Sequence, residues 1–135
     1  MKLIVCLDDN NGMMFNKRRQ SRDRVLIENM IELCKDEKFY TNEYSVSLFP
    51  ENAVEIFDNI EDVEKSYCFA ENFTVNEDYV DEIIVYKWNR VYPADFKCDI
   101  DFSRFDLVEC LDFKGFSHEK ITKETYKLKG DIYEK

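Results

Sequence analysis

Lys2-Leu3-Ile4-Val5-Cys6-Leu7-Asp8-Asp9-Asn10-Asn11-Gly12 begins as a short apolar run with β-branched residues and ends in a cluster of turn formers. Length and punctuation make it a buried strand followed by a turn. Downstream, Val25, Leu26, Ile27, Met30, Ile31, Leu33 and Cys34 recur at helical spacing, with Arg24, Glu28, Glu32 and Lys35 off the stripe. Ser21 is a candidate cap for that helix, because its hydroxyl can accept from an orphan backbone N–H. Lys38 to Thr41 reads as a second strand, and Tyr44, Leu48 and Phe49 as a short helix stopped before Pro50. Further strands are expected at 54–57, at 67–70 and, most clearly after the first, at Ile83 to Trp88, with a helical turn or two over 75–80. Phe105 to Phe113 and Ile121 to Leu128 alternate and predict two long antiparallel strands. The expected fold class is therefore α/β, a single domain over 1–135 with a mostly parallel sheet and antiparallel C-terminal strands.

Composition narrows the class further. In 135 residues, 44% are hydrophobic and 15% aromatic, with 3 Gly and 2 Pro, so the chain is neither disordered nor of low complexity. No apolar run approaches the roughly 20 residues needed to span a bilayer, and no signal peptide is apparent. Cys6, Cys34, Cys68, Cys98 and Cys110 are scattered singly, which reads as reduced thiols in a cytoplasmic protein.

The net charge of −10 is unevenly placed. Residues 1–35 hold 7 basic and 5 acidic groups, net +2, whereas 36–82 hold 2 and 14, net −12, and 83–135 hold 10 of each. Five cations fall in the nine residues Asn16-Lys17-Arg18-Arg19-Gln20-Ser21-Arg22-Asp23-Arg24. The acidic balance argues against extended nucleic acid as a partner, but a local patch can hold one phosphate.

The order of elements resembles the dihydrofolate reductase fold over nearly the whole chain. Leu3 to Met13 is similar to that family's first strand and acidic, glycine-bearing turn. Asp23 falls within about one residue of the place where the family's catalytic acid would sit on its first helix. Val80 to Tyr86 is similar to the strand before the substrate-side loop, and Asp95 to Glu109 and Ile121 to Leu128 to the closing strands. The cofactor motifs depart. The loop Leu-Pro-Trp is replaced by Phe15-Asn16-Lys17-Arg18-Arg19, the phosphate-binding Gly-Arg-x-Thr by Asn42-Glu43-Tyr44-Ser45, and the Gly-Gly that admits a pyrophosphate by Ala70-Glu71-Asn72. Carboxylates at Glu43 and Glu71 repel phosphate, so the resemblance implies no nicotinamide cofactor here.

Asn11 to Asn16, Arg18 to Arg24, Tyr86 to Phe96 and Ser117 to Thr122 also resemble short bacterial proteins that often carry the label ribonuclease Z. The zinc-dependent activity of that name needs a His-x-His-x-Asp-His cluster with further histidines, and His118 is the one histidine of this chain. Neither zinc ribonuclease activity nor a metal is expected. Asp8-Asp9-Asn10-Asn11 lacks calcium-loop spacing, and no Gly-x-Ser-x-Gly, P-loop or His-Glu-x-x-His occurs.

The candidate site residues lie in three segments. Arg18, Arg19, Ser21 and Arg22 either hold an anion at the start of the first helix or pair internally with Asp8, Asp9 or Asp95. Trp88, Asn89, Arg90 and Tyr92 suit a binding loop by stacking and polar contact, though Trp88 and Tyr92 equally suit the core. His118, beside Ser117 and Glu119, is a candidate general base, and Asp23 a candidate catalytic acid. The leading expectation is a protein that binds an anionic small molecule or nucleotide at the basic loop 12–24. An enzyme using Asp23 in the same pocket is the second reading, and an acidic partner-binding protein, acting through 36–82, the third. A homo-oligomer is left open.

Overall fold

The computed structural model describes residues 1–130; the last five positions of the expected 1–135 domain lie outside the described residues. In chain order the strands are β1 (Lys2–Leu7), β2 (Gly12–Phe15), β3 (Arg18–Arg19), β4 (Phe39–Thr41), β5 (Glu55–Ile56), β6 (Tyr67–Phe69), β7 (Glu82–Lys87), β8 (Phe96–Lys97), β9 (Phe105–Phe113) and β10 (Ile121–Leu128). One α-helix, α1 (Arg24–Leu33), follows β3.

Seven strands form one sheet in the order β5-β4-β6-β1-β7-β10-β9. β1 is central and runs parallel to both β6 and β7, and β4 and β5 continue the parallel run on one side. β10 turns antiparallel against β7, and β9 antiparallel against β10. This is the expected mostly parallel sheet with antiparallel closing strands. The alternation of β1 explains its central place. Leu3, Val5 and Leu7 join one apolar cluster with Val63, Val85 and Phe105, while Ile4 joins the other with Leu26 and Met30 of α1, Phe69 and Ile84. A strand buried on both faces has no polar side to give to water.

A second sheet, β3-β2-β8, takes up the first part of the basic loop 12–24 and pairs it with β8. Its hairpin pairs Phe15 with Arg18 across Asn16 and Lys17, both at positive φ (51° and 61°). Two left-handed central residues match the twist of a two-residue hairpin. Lysine is an unusual occupant, which is why turn chemistry did not mark the spot. The helix cap also differs from the expectation: Asp23, not Ser21, is the N-cap, and its carboxylate accepts from the N–H groups of Val25 and Leu26. The expected helix at 44–49 and helical turns at 75–80 shrink to single 3-10 turns at Val46–Leu48 and Glu77–Tyr79. Among the described residues no helix is long and apolar enough to cross a membrane.

All five cysteines are free. Burial pushes the thiols of Cys34 and Cys68 up to about 12, which makes them poor nucleophiles. In native protein at about pH 8, a disulfide reagent should label exposed Cys110 first and reach Cys34 and Cys68 only on unfolding. Prompt native-state labelling of Cys68 in β6 would contradict the buried central sheet.

Candidate active site

Parallel strands end together, so the C-terminal ends of β1, β6 and β7 define one edge of the sheet, where open α/β folds place ligands. α1 begins at that edge. Asp23, 3% exposed, caps it and also receives the loop between β9 and β10. Its Oδ1 accepts from the Phe116 N–H at 2.9 Å, and its Oδ2 from the Ser117 N–H at 2.9 Å and from His118 Nδ1 at 2.8 Å. Gly115 permits this approach, because a Cβ there would stand 2.7 Å from Asp23 Oδ2 and 2.8 Å from Ile121 Cδ1. Burial alone would raise the Asp23 carboxyl. The donors from Phe116, His118, Ser117 and Leu26 outweigh it and hold the group well below the usual carboxylate range.

An ionised Asp23 can only accept, which assigns the proton of a neutral His118 ring to Nδ1. Nε2 is then an acceptor, and the Ser21 hydroxyl lies 3.0 Å from it. Tyr92 Oη approaches the same nitrogen to 3.5 Å, too long for a firm bond. The ring is 6% exposed and lies over Trp88 at 4.8 Å between centroids. Ser21, His118 and Asp23 are thus joined in one line of hydrogen bonds.

A second buried carboxylate stands nearby. Glu71, 7% exposed, just beyond β6, takes a bidentate pair from Arg19, Nε to Oε1 at 2.8 Å and Nη2 to Oε2 at 3.0 Å. The Ser45 hydroxyl donates to its Oε2 at 2.5 Å, and the Tyr44 ring lies under the guanidinium at 4.9 Å. Pairing with Glu71 raises the Arg19 pKa.

The basic loop is accordingly divided. Arg19 pairs internally, but with Glu71 rather than with Asp8, Asp9 or Asp95. Asp8 instead accepts from the N–H groups of Asn10, Gly12 and Tyr92, and Asp95 from that of Asn16. Arg18 lies exposed on β3. Among the described residues neither Arg18 nor Arg22 forms a salt bridge. Arg19, Ser21 and Arg22 line one recess while Arg18 stands apart, and the N–H groups of Val25 and Leu26 at the start of α1 are taken by Asp23. The second segment divides too. Trp88 is buried beneath His118, while Asn89 (φ 60°) ties to Thr122 Oγ1 at 2.9 Å and the Arg90 carbonyl accepts from Asp9 N–H at 2.8 Å. These bonds hold the turn, and the Arg90 side chain is exposed.

Two connected hollows flank these groups. A narrow recess of about 20 Å³, room for a water molecule, is walled by Cys6, Ser21, Phe69, Glu71 and Trp88. It shares Arg22, Asp23, Ile27 and Leu48 with an open groove of about 690 Å³ that runs along α1 past Ile31, Phe49 and Phe116. Arg24 stacks on Phe116 at 4.2 Å on the groove's wall. Sequence reasoning missed Glu71 as a partner of Arg19, and Ser21 as a partner of His118; separations of 52 and 97 residues leave no local signal.

This arrangement of strands has a counterpart among solved structures. A dihydrofolate reductase from Enterococcus faecalis, solved in complex with NADP(H) and RAB-propyl, superposes with a TM-score of 0.67. The overlap covers 95% of each chain at 11% identity. The chain has the dihydrofolate reductase fold. No protein-family model matches its sequence and no curated protein does, so the ribonuclease Z resemblance finds no support. Among the described residues no group of three or more His, Cys, Asp or Glu is placed to hold a metal ion.

Asp23→Asn tests the anchor. It sets an NH₂ group against the Ser117 N–H and His118, an expected cost of about 2–4 kcal/mol at neutral pH in urea unfolding. The wild-type carboxyl is lowered on folding, so its stabilisation is present above about pH 4 and fades as pH falls toward the folded value. The gap between wild type and variant should therefore narrow below about pH 4. A gap independent of pH would show that the charge of Asp23 contributes nothing.

Proposed function

We propose that the protein binds a small molecule with a flat apolar body and an anionic end in the groove beside α1. The observation that carries this reading is the groove itself: apolar side chains of Ile27, Ile31, Leu48 and Phe49, with Arg22 and Arg24 on its wall and one carboxylate, Glu28, beside them. Its size suits a metabolite rather than a macromolecule. Arg22 has its charge free, and Arg24 is presented flat against Phe116. Guanidinium groups pair well with planar carboxylates and with phosphates.

The fold leaves an enzymatic role open at the same place, with different parts from those first expected. A carboxylate held ionised by six donors gives up no proton near neutrality, so Asp23 is the anchor of a proton-handling His118 rather than the acid itself. His118 can exchange a proton through Nε2 toward Ser21.

A nicotinamide dinucleotide does not fit this reading. Where the resemblance puts the pyrophosphate, after β6, stands the buried Glu71 carboxylate, locked by Arg19 and Ser45. A phosphate there would meet a like charge and would have to break a desolvated bidentate pair.

Aryl carboxylates such as 4-hydroxybenzoate should raise the melting temperature, and the neutral amide 4-hydroxybenzamide should not. Arg22→Ala should weaken binding of 4-hydroxybenzoate by about tenfold or more in calorimetry, as loss of a charge-assisted hydrogen bond does. Equal stabilisation by acid and amide would remove the anionic end from the proposal. Fluorescence titration with NADPH should show no saturable binding. Affinity of about 1 μM or better would mean that Glu71 yields the site.

A further inference from the structure

We infer that Ser21, His118 and Asp23 form a nucleophilic triad that cleaves small acyl esters. The inference rests on the groove reading above, since the groove would hold the rest of the substrate. The geometry has the order such chemistry needs: hydroxyl to Nε2 at 3.0 Å, Nδ1 to carboxylate at 2.8 Å. The parts come from segments about a hundred residues apart in the chain, 97 between Ser21 and His118 and 95 between Asp23 and His118.

Each part is set for its task. Asp23 is the positioning residue: six donors keep it charged, and its bond to Nδ1 leaves Nε2 free to take a proton. Trp88 under the ring fixes the imidazole plane and keeps bulk water from it. Ser21 alone of the three is half-buried rather than buried, and it lies on the wall of the recess, where a substrate carbonyl can reach Oγ. The recess is narrow, about 20 Å³, so only a small acyl group is accommodated beside Ser21. Beyond Asp23 the space opens into the groove, whose wall carries Arg22 and Arg24 beside Glu28; the two arginines suit an aromatic alcohol portion bearing a carboxylate.

In the first half-reaction Oγ bonds to the acyl carbon as its proton passes to Nε2. The bond from acyl carbon to the alcohol oxygen then breaks, and that oxygen takes the proton from Nε2. In the second half a water molecule attacks the acyl-serine, gives a proton to Nε2, and the serine oxygen recovers it as the carboxylic acid leaves. No redox partner or metal enters the balance.

The probe is 4-acetoxybenzoate, whose hydrolysis releases acetate and 4-hydroxybenzoate. Wild type should hydrolyse it with saturation and show an acetyl adduct on Ser21 by mass spectrometry after rapid acid quench. Ser21→Ala should lose on the order of 10³-fold in kcat, while its melting temperature and its binding of 4-hydroxybenzoate stay within error of wild type. His118→Gln should lose a similar factor; if it fails to fold, the Ser21→Ala result still decides. The homologous 4-octanoyloxybenzoate should be a poor substrate because the recess excludes the long chain. Hydrolysis unchanged in Ser21→Ala, or no hydrolysis by a wild type that binds 4-hydroxybenzoate, would overturn the triad and leave the groove reading standing. Absence of both binding and hydrolysis would overturn the two together.

Discussion

The carboxylate of Asp23 joins parts of the chain that sequence keeps far apart. One group caps α1, fastens the turn at Phe116 and Ser117, and orients the His118 ring. A buried carboxylate without donors would be among the costliest groups in a domain this size, and would take up a proton instead. Here two donors come from the helix start and four from the loop between β9 and β10, so neither segment can move away without leaving the charge less compensated. The docking of α1 and the geometry of the candidate site are for that reason a single constraint. Gly115 shows how tight it is, because even one methyl at that position would press on both Asp23 and Ile121.

Glu71 shows the complementary case, where a charge closes a site instead of building one. The end of β6 keeps its place in the sheet, since Tyr67, Cys68 and Phe69 are buried and Ala70 donates to the Ile4 carbonyl. Nothing in that backbone pattern depends on the residue that follows. The fold tolerates a carboxylate there once Arg19 and Ser45 satisfy it, and similarity of fold at 11% identity persists while the chemistry of the edge is rewritten.

Legibility from sequence followed the physics of each signal. β1, β7, β9 and β10 were plain because apolar runs and period-two alternation are local. The helix stripe was equally plain, but its cap was not: Ser21 and Asp23 are both good capping residues two positions apart, and the choice is made by loop 114–118, which lies far along the chain. The small sheet escaped because its strands are two to four residues long and its turn uses Lys17 at positive φ. Of the site residues, Asp23, His118, Ser21 and Trp88 were recognised individually by chemical type, and only the fold showed that they touch. Asn89 and Arg90 sit in a tight turn, and tight turns favour the same polar residues as binding loops, so composition alone does not separate the two.

The distribution of charge around α1 gives the remaining argument. A helix prefers acids in its first turn and bases in its last, because of the partial charges at its ends. α1 has no acidic residue in its first turn and no basic residue in its last, and it carries Arg22 and Arg24 at the positive end. In a chain of net charge −10 this placement gains nothing for the isolated helix. Arg19, from the same basic run, is neutralised by Glu71, yet Arg22 is left without an ion pair among the described residues and Arg24 meets only a ring. Cations held against the helix dipole and turned along an apolar groove are stabilised most by an anion that arrives from outside. The helix dipole and both arginines would then act on that ligand with one sign.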